Sequence, residues 1–188
     1  MNEKAEDTAV KYALTVPEKN LKAVKEFCET YDISPEDDNI ISEVISALED
    51  NYTYTLQPGK IPYGEDYVNY FLLANMKGYC QHFASAATLI FRYLGIPARY
   101  AEGYAIDRED FYTGKDLQDE DVNDWITTPY RVAGTVTEID VPDSSGHAWV
   151  EIYQRDIGWT VVEATTAPSE DNGLGVIASL FGNNPFSA

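Results

Sequence analysis

Apolar positions in the first half of the chain recur at helical spacing. Leu21, Val24, Phe27 or Cys28, and Tyr31 fall on one face and predict a helix over 18–31, with Cys28 a buried, inert thiol. Ser34-Pro35-Glu36-Asp37 reads as a helix start, and Ile40, Ile41, Val44, Ile45 and Leu48 line the face that follows. Residues 51–56 alternate and read as extended, and Gln57–Tyr63 holds two prolines and a glycine and reads as a loop. A helix is expected around Asp66–Met76, with Gly78 in its C-cap region. Residues 80–94, CQHFASAATLIFRYL, form the most apolar helix, ended by Gly95 and Pro97.

From Pro97 the period changes to two. Ala98–Ile106, Arg131–Ile139, His147–Tyr153 and Gly158–Ala164 carry β-branched and aromatic residues in short alternating runs. Helices first and strands second predict an α+β fold with an antiparallel sheet. The stretch 107–124 is crowded with acids against Arg108 and Lys115 alone, and reads as a surface insertion. Asp119, Asp121 and Asn123 match the start of a calcium loop, but Asp124 and Tyr130 stand where Gly and Glu are needed. The tail beyond Pro168 is polar, then weakly apolar.

Composition narrows the partners. The chain has 188 residues, 44% hydrophobic, with a formal charge of −19. That apolar share suits one globular domain with a sizeable core. The acidity argues against nucleic acid and against docking on an anionic membrane surface. No stretch approaches the roughly 20 apolar residues of a membrane helix, and the start shows no signal-peptide run. Fourteen tyrosines suit half-buried strands, or a surface that grips an extended polymer. Cys28 and Cys80 are too few for a disulfide framework. Cys28, Cys80, His82 and His147 lack the paired close spacing of metal ligands, so neither metal nor cofactor is expected.

One constellation reads as catalytic. Cys80 opens a helix, where unsatisfied N–H groups and the helix dipole favour a thiolate and offer donors to an oxyanion. His82 is two residues on and does not face Cys80 along a helix, so a histidine partner would be His147. An acid should orient that histidine. Glu163 lies across a predicted hairpin turning at Arg155–Gly158, within cross-strand reach of His147. Glu151 shares the strand and face of His147 but lies roughly 13 Å along it. Spacing alone leaves two readings open, a triad of Cys80, His147 and Glu163 or three ordinary core residues. His82 reads as an orienting or surface residue, and Arg99 as the partner of an acid or a strand support. Tyr54, Tyr79, His82, Trp149 and Trp159 are candidates for the cleft, the tyrosines also as oxyanion donors.

Four blocks in order, Lys77-Gly-Tyr-Cys-Gln-His-Phe-Ala-Ser-Ala-Ala87, Leu94-Gly-Ile-Pro-Ala-Arg-Tyr-Ala-Glu-Gly-Tyr104, Gly146-His-Ala-Trp-Val-Glu151 and Gly158-Trp-Thr-Val-Val-Glu-Ala-Thr165, resemble the transglutaminase-like superfamily of papain-like thiol enzymes. The resemblance spans about Tyr52 to Thr166. It implies a papain-like core with the nucleophile helix packed on an antiparallel sheet. It also implies a Cys nucleophile, a His base and an acid at Cys80, His147 and Glu163, the last being more often Asp in the family. The bacterial membrane-anchored branch, with its domain outside the membrane, resembles this chain best, which implies an excised extracytoplasmic domain.

The expected organisation is a helical segment over 1–50, a catalytic core over 51–168 with the acidic insertion 107–124, and a tail or linker over 169–188. The expected activity is acyl transfer on amide bonds through a thioester, most simply hydrolysis of a protein or peptide substrate, including cell-wall peptides bearing lysine. Glutamine cross-linking and a non-catalytic binding module on the same fold are the alternatives. A purely electrostatic interaction protein is a third.

Overall fold

A computed structural model describes residues 11–106, 108–117 and 136–165. They fall into two compact units, one of residues up to 103 and from 147 onward, the other of residues 104–146. The calcium-like run Asp119–Tyr130 and the tail 169–188 lie outside the described residues.

The first unit is built around one helix. Helix α1 covers Glu18–Thr30 and α2 covers Ile40–Asn51. After the two-residue strand β1 (Thr53–Tyr54) comes a short helix α3 (Tyr67–Tyr70), which runs into a π-helical turn over Phe71–Asn75. Strand β2 (Lys77–Gly78) pairs in parallel with β1 and leads into α4, Cys80–Tyr93. Strands β3 (Ala98–Tyr104), β6 (Gly146–Gln154) and β7 (Gly158–Val162) form a sheet in the order β3-β6-β7.

The small residues in α4 explain its central place. Ala84, Ala86 and Ala87 let neighbouring elements approach, and Phe83, Ile90 and Phe91 fill the space around them, all six without solvent exposure. Val24 and Phe27 of α1, Val44 and Leu48 of α2, and Val150, Ile152 and Val162 of the sheet form one apolar cluster with Phe83, Ala86, Ala87, Ile90 and Phe91. Fully burying such side chains contributes about 1.5–3 kcal/mol each, so this cluster is the main source of stability. The mixed fold with an antiparallel hairpin, β6 against β7, is as the period change predicts.

Three boundaries differ from the sequence reading. The helix expected from Ser34 starts instead at Ile40, with Asn39 at its cap. The Ser34 N–H is taken by the Asp37 carboxylate at 2.6 Å, and the Asp37 N–H by the Ser34 carbonyl, so the capping residues close a turn of their own. The helix expected over 66–76 is α3 plus the π turn, ended by Met76 in the left-handed region (φ 52°), while Gly78 belongs to β2. Of the expected strand 131–139, residues 131–135 lie outside the described residues, and among the rest Thr137–Glu138 (β5) is strand.

The second unit holds a short helix α5 (Arg108–Thr113), strand β4 (Lys115–Asp116) paired antiparallel with β5, and a 3-10 turn over Asp143–Ser145. Part of the expected loop is therefore helical. The Ala105 N–H donates to the Ser145 carbonyl at 2.8 Å, closing the base of this unit.

Candidate active site

Cys80 is the first residue of α4 and is half-buried. Its turn is held from several sides. The Tyr67 hydroxyl donates to the Gln81 carbonyl at 2.5 Å and lies 3.1 Å from Ser85 Oγ. Asp66 caps α3 by accepting from the Val68 and Asn69 N–H groups, and it also takes Lys19 Nζ at 2.7 Å and Asn20 Nδ2 at 2.6 Å. Burial alone would raise the Asp66 pKa, but these partners hold it below the usual carboxylate value.

His147 and Glu163 come from the hairpin. The register pairs Val150 with Val162 and Gln154 with Gly158, and the chain reverses through a three-residue loop with Gly158 at φ +96°. Continued past Val162, that register sets Glu163 opposite Trp149, so it lies diagonally from His147 on the same face. His147 Nε2 donates to Glu163 Oε2 at 2.7 Å, and the other carboxylate oxygen accepts the Thr165 N–H at 2.8 Å. The carboxylate is thus gripped at both oxygens and the imidazole is nearly sealed from solvent, its side chain 1% exposed.

Burial disfavours a charge on His147, yet its pKa is raised to about 9. Hydrogen bonds from the ring to Cys80 and Glu163, and the negative charge of those groups, outweigh the burial. With Nε2 committed to Glu163, the ring nitrogen left for the Cys80 sulfur is Nδ1. The structure therefore brings together Cys80, His147 and Glu163. Glu151, the rival acid, is taken by Arg99, at 2.6 Å from Nε and 2.5 Å from a terminal guanidinium nitrogen.

The cleft candidates divide. Trp149 stacks on His147 with centroids 6.3 Å apart, and a Cβ on Gly103 would come within 3.1 Å of its ring. Tyr54 lies where Cys80 and Glu163 both act on it; burial first, then those two groups, push its phenol up to about 12. Tyr79 caps α4 and sets its ring edge on His82, 4.5 Å between centroids. Trp159 stands at the turn end of the hairpin, opposite Tyr153, with the Arg99 guanidinium 4.1 Å above its ring. It packs the sheet roughly 20 Å along the strand from His147.

Three residues near the site carry no sequence signal of their own. They are Tyr67, Glu49, whose pKa is raised by burial, Asp50 and Glu163, and Tyr100, raised by burial, Glu102, Tyr67 and Cys80. Cys28, by contrast, is 4% exposed and its thiol is pushed up to about 11, chiefly by burial, which suits an inert core residue.

Comparison with known proteins bears on the family and the fold. The sequence model of the transglutaminase-like superfamily matches residues 25–164. An uncharacterized protein of Bacillus subtilis, YebA, is 32% identical over 141 residues, covering 71% of this chain and 16% of its own length. A protein-glutamine gamma-glutamyltransferase of Pseudomonas aeruginosa is 32% identical over 114 residues, covering 61% of this chain and 13% of its own. The chain thus spans about a sixth or less of these relatives. The crystal structure of the periplasmic domain of TgpA from Pseudomonas aeruginosa, bound to ethylmercury, superposes with a TM-score of 0.58 at 24% identity. That match covers 84% of this chain and 49% of the other, and shows the shared fold.

Proposed function

We propose that this chain, which belongs to the transglutaminase-like superfamily, is the catalytic domain of a cysteine-dependent acyl-transfer enzyme acting on amide bonds. The observation that carries the reading is the His147 imidazole, buried and bonded to Glu163, with Cys80 among the groups that raise its pKa. In the first half-reaction the Cys80 sulfur attacks the amide carbonyl carbon while its proton rests on His147. The N–H groups at the start of α4 face the developing oxyanion. His147 then gives its proton to the departing amine as the carbon–nitrogen bond breaks, leaving a thioester on Cys80. In the second half, His147 takes a proton from water, the hydroxide adds to the thioester, and the carboxylic acid leaves with the thiol restored.

Water is the acceptor in this reading, since excluding it would require a closed site. The glutamyltransferase name of the Pseudomonas aeruginosa relative favours a second reading, in which an amine replaces water and a glutamine side chain is the donor. The substrate is then a protein or peptide. Its setting is extracytoplasmic, as for the periplasmic domain that shares the fold. Among the described residues no helix is long and apolar enough to cross a membrane.

The first test is labelling with iodoacetamide at neutral pH. The wild type should label at Cys80, and Cys80→Ala should lose nearly all label because the remaining thiol, Cys28, is buried. Equal labelling of both proteins would remove Cys80 as nucleophile. Mass spectrometry of peptide and glutamine-donor libraries incubated with the protein then separates cleavage, deamidation and cross-linking.

A further inference from the structure

His82 is absorbed by neither the nucleophile nor its base, yet it is 6% exposed and packed on every side. Its ring lies 4.9 Å from Tyr67, 5.5 Å from Phe71 and 4.5 Å from Tyr79, centroid to centroid. Beneath it is Gly78, where a Cβ would fall 2.5 Å from both Cβ and Cγ of His82. The Tyr79 N–H donates to His82 Nδ1 at 3.3 Å. Tyr79 caps α4, so this bond occupies the place a Glu or Gln takes when it reaches back from the third helical position to the cap. Here an imidazole does that work, and an imidazole can titrate.

We propose that His82 is a positioning residue for Cys80: with Nδ1 unprotonated it holds the Tyr79 N–H and fixes the Gly78-Tyr79-Cys80 turn, and protonation of Nδ1 releases that turn. A neutral ring with its proton on Nε2 accepts at Nδ1, whereas the imidazolium carries N–H at both nitrogens and sets a donor against a donor. The ring has no room to swing away, because Gly78 and three aromatic rings enclose it. Relief must come from the backbone next to Cys80. The titratable groups packed on the ring are the Tyr67 and Tyr79 phenols, and no charged group contributes to its shift.

Burial is the largest influence on His82 and lowers its pKa below 6.5, against a smaller raising contribution from the Tyr79 backbone. A depressed histidine stabilises the fold fully above 6.5, and that contribution fades as pH falls through the lowered value. The turn should therefore be locked at neutral pH and loosen on the acid side. The inference rests on Cys80 being the reactive thiol for its consequence, but not for the hydrogen bond itself.

The experiment uses His82→Gln, which keeps an acceptor that cannot protonate, and His82→Phe, which keeps a ring without one. Two quantities are followed from mildly acid to neutral pH: the rate of Cys80 alkylation by iodoacetamide and the Tyr79 amide resonance. In the wild type the Tyr79 resonance should move with the His82 titration, and alkylation should show an acid step at the same pH. The Gln variant should keep its neutral rate and lose that step. The Phe variant, with its fold verified by near-UV circular dichroism, should be slower at neutral pH by roughly tenfold, the size of one lost cap bond. A Tyr79 resonance that ignores the His82 titration, a Gln variant with the wild-type step, or a Phe variant with the wild-type neutral rate would overturn the proposal. Absence of Cys80 labelling in the wild type would refute the catalytic reading instead, and the Tyr79 resonance would still decide the role of His82.

Discussion

Replacing Glu163 by Gln isolates the charge that acts on His147. The amide oxygen can still accept from Nε2, so the ring stays placed while the carboxylate charge is removed. In the intact protein the imidazole holds its proton to about pH 9 against an ordinary 6.5. At about 1.36 kcal/mol per pH unit, that gap is a preference of roughly 3 kcal/mol for the protonated ring. Burial opposes it, so Cys80 and Glu163 together contribute more than this net amount. Because the folded value is raised, the pairing stabilises the fold fully below pH 6.5 and fades as pH rises through about 9. The chain has only two histidines, so a ring-proton NMR titration resolves both. One should titrate near 9 and the other below 6.5. In Glu163→Gln the upper one should move clearly toward 6.5. Turnover, once a substrate is in hand, should drop roughly 10²–10⁴-fold, as when the orienting acid of a triad becomes its amide. An upper titration still near 9 in the variant would refute Glu163 as its source, and two histidines both near 6.5 would refute the buried pair altogether.

Two substitutions test how the nucleophile turn is held. Gly78→Ala should cost roughly 1–3 kcal/mol in a denaturant titration, because its Cβ overlaps the His82 stem rather than a flexible tip, and Cys80 labelling should slow with it. Asp66→Ala should cost about 1–2 kcal/mol at neutral pH through loss of the α3 cap. The difference from wild type should shrink as pH falls through the lowered Asp66 value, since the carboxylate then protonates in both states.

Legibility in the sequence followed the range of the interactions. His147 and Glu163 could be paired beforehand because a strand has a strict period of two, and a glycine-ended turn sets the register. The helix that begins at Cys80 was equally plain, since its apolar face and its glycine and proline stop are local. Ser34 was misleading because its capping chemistry is satisfied inside a turn, a contest between two local hydrogen-bond patterns that composition does not decide. The π turn at Phe71–Asn75 was invisible for a related reason: its last bond, from the Met76 N–H to the Phe71 carbonyl, spans one residue more than the α pattern the periodicity assumes. Helical spacing shows only that His82 does not face Cys80, whereas its partner is the Tyr79 N–H, on the backbone one residue before Cys80. Tyr67 reaches Gln81 and Ser85 across a tertiary contact that no spacing encodes.

The bond between Ala105 and Ser145 has an evolutionary consequence. The second unit follows strand β3 and precedes strand β6, and the Ala105–Ser145 bond ties its two ends together. Everything between is an excursion whose closure free energy grows by only about 0.6 kcal/mol for each doubling of its length. Mutation can therefore lengthen, shorten or recharge that excursion while Cys80, His147 and Glu163, all seated on the other unit, keep their mutual geometry. A lineage can diversify what it appends at this point far faster than it can alter the three residues that hold that geometry.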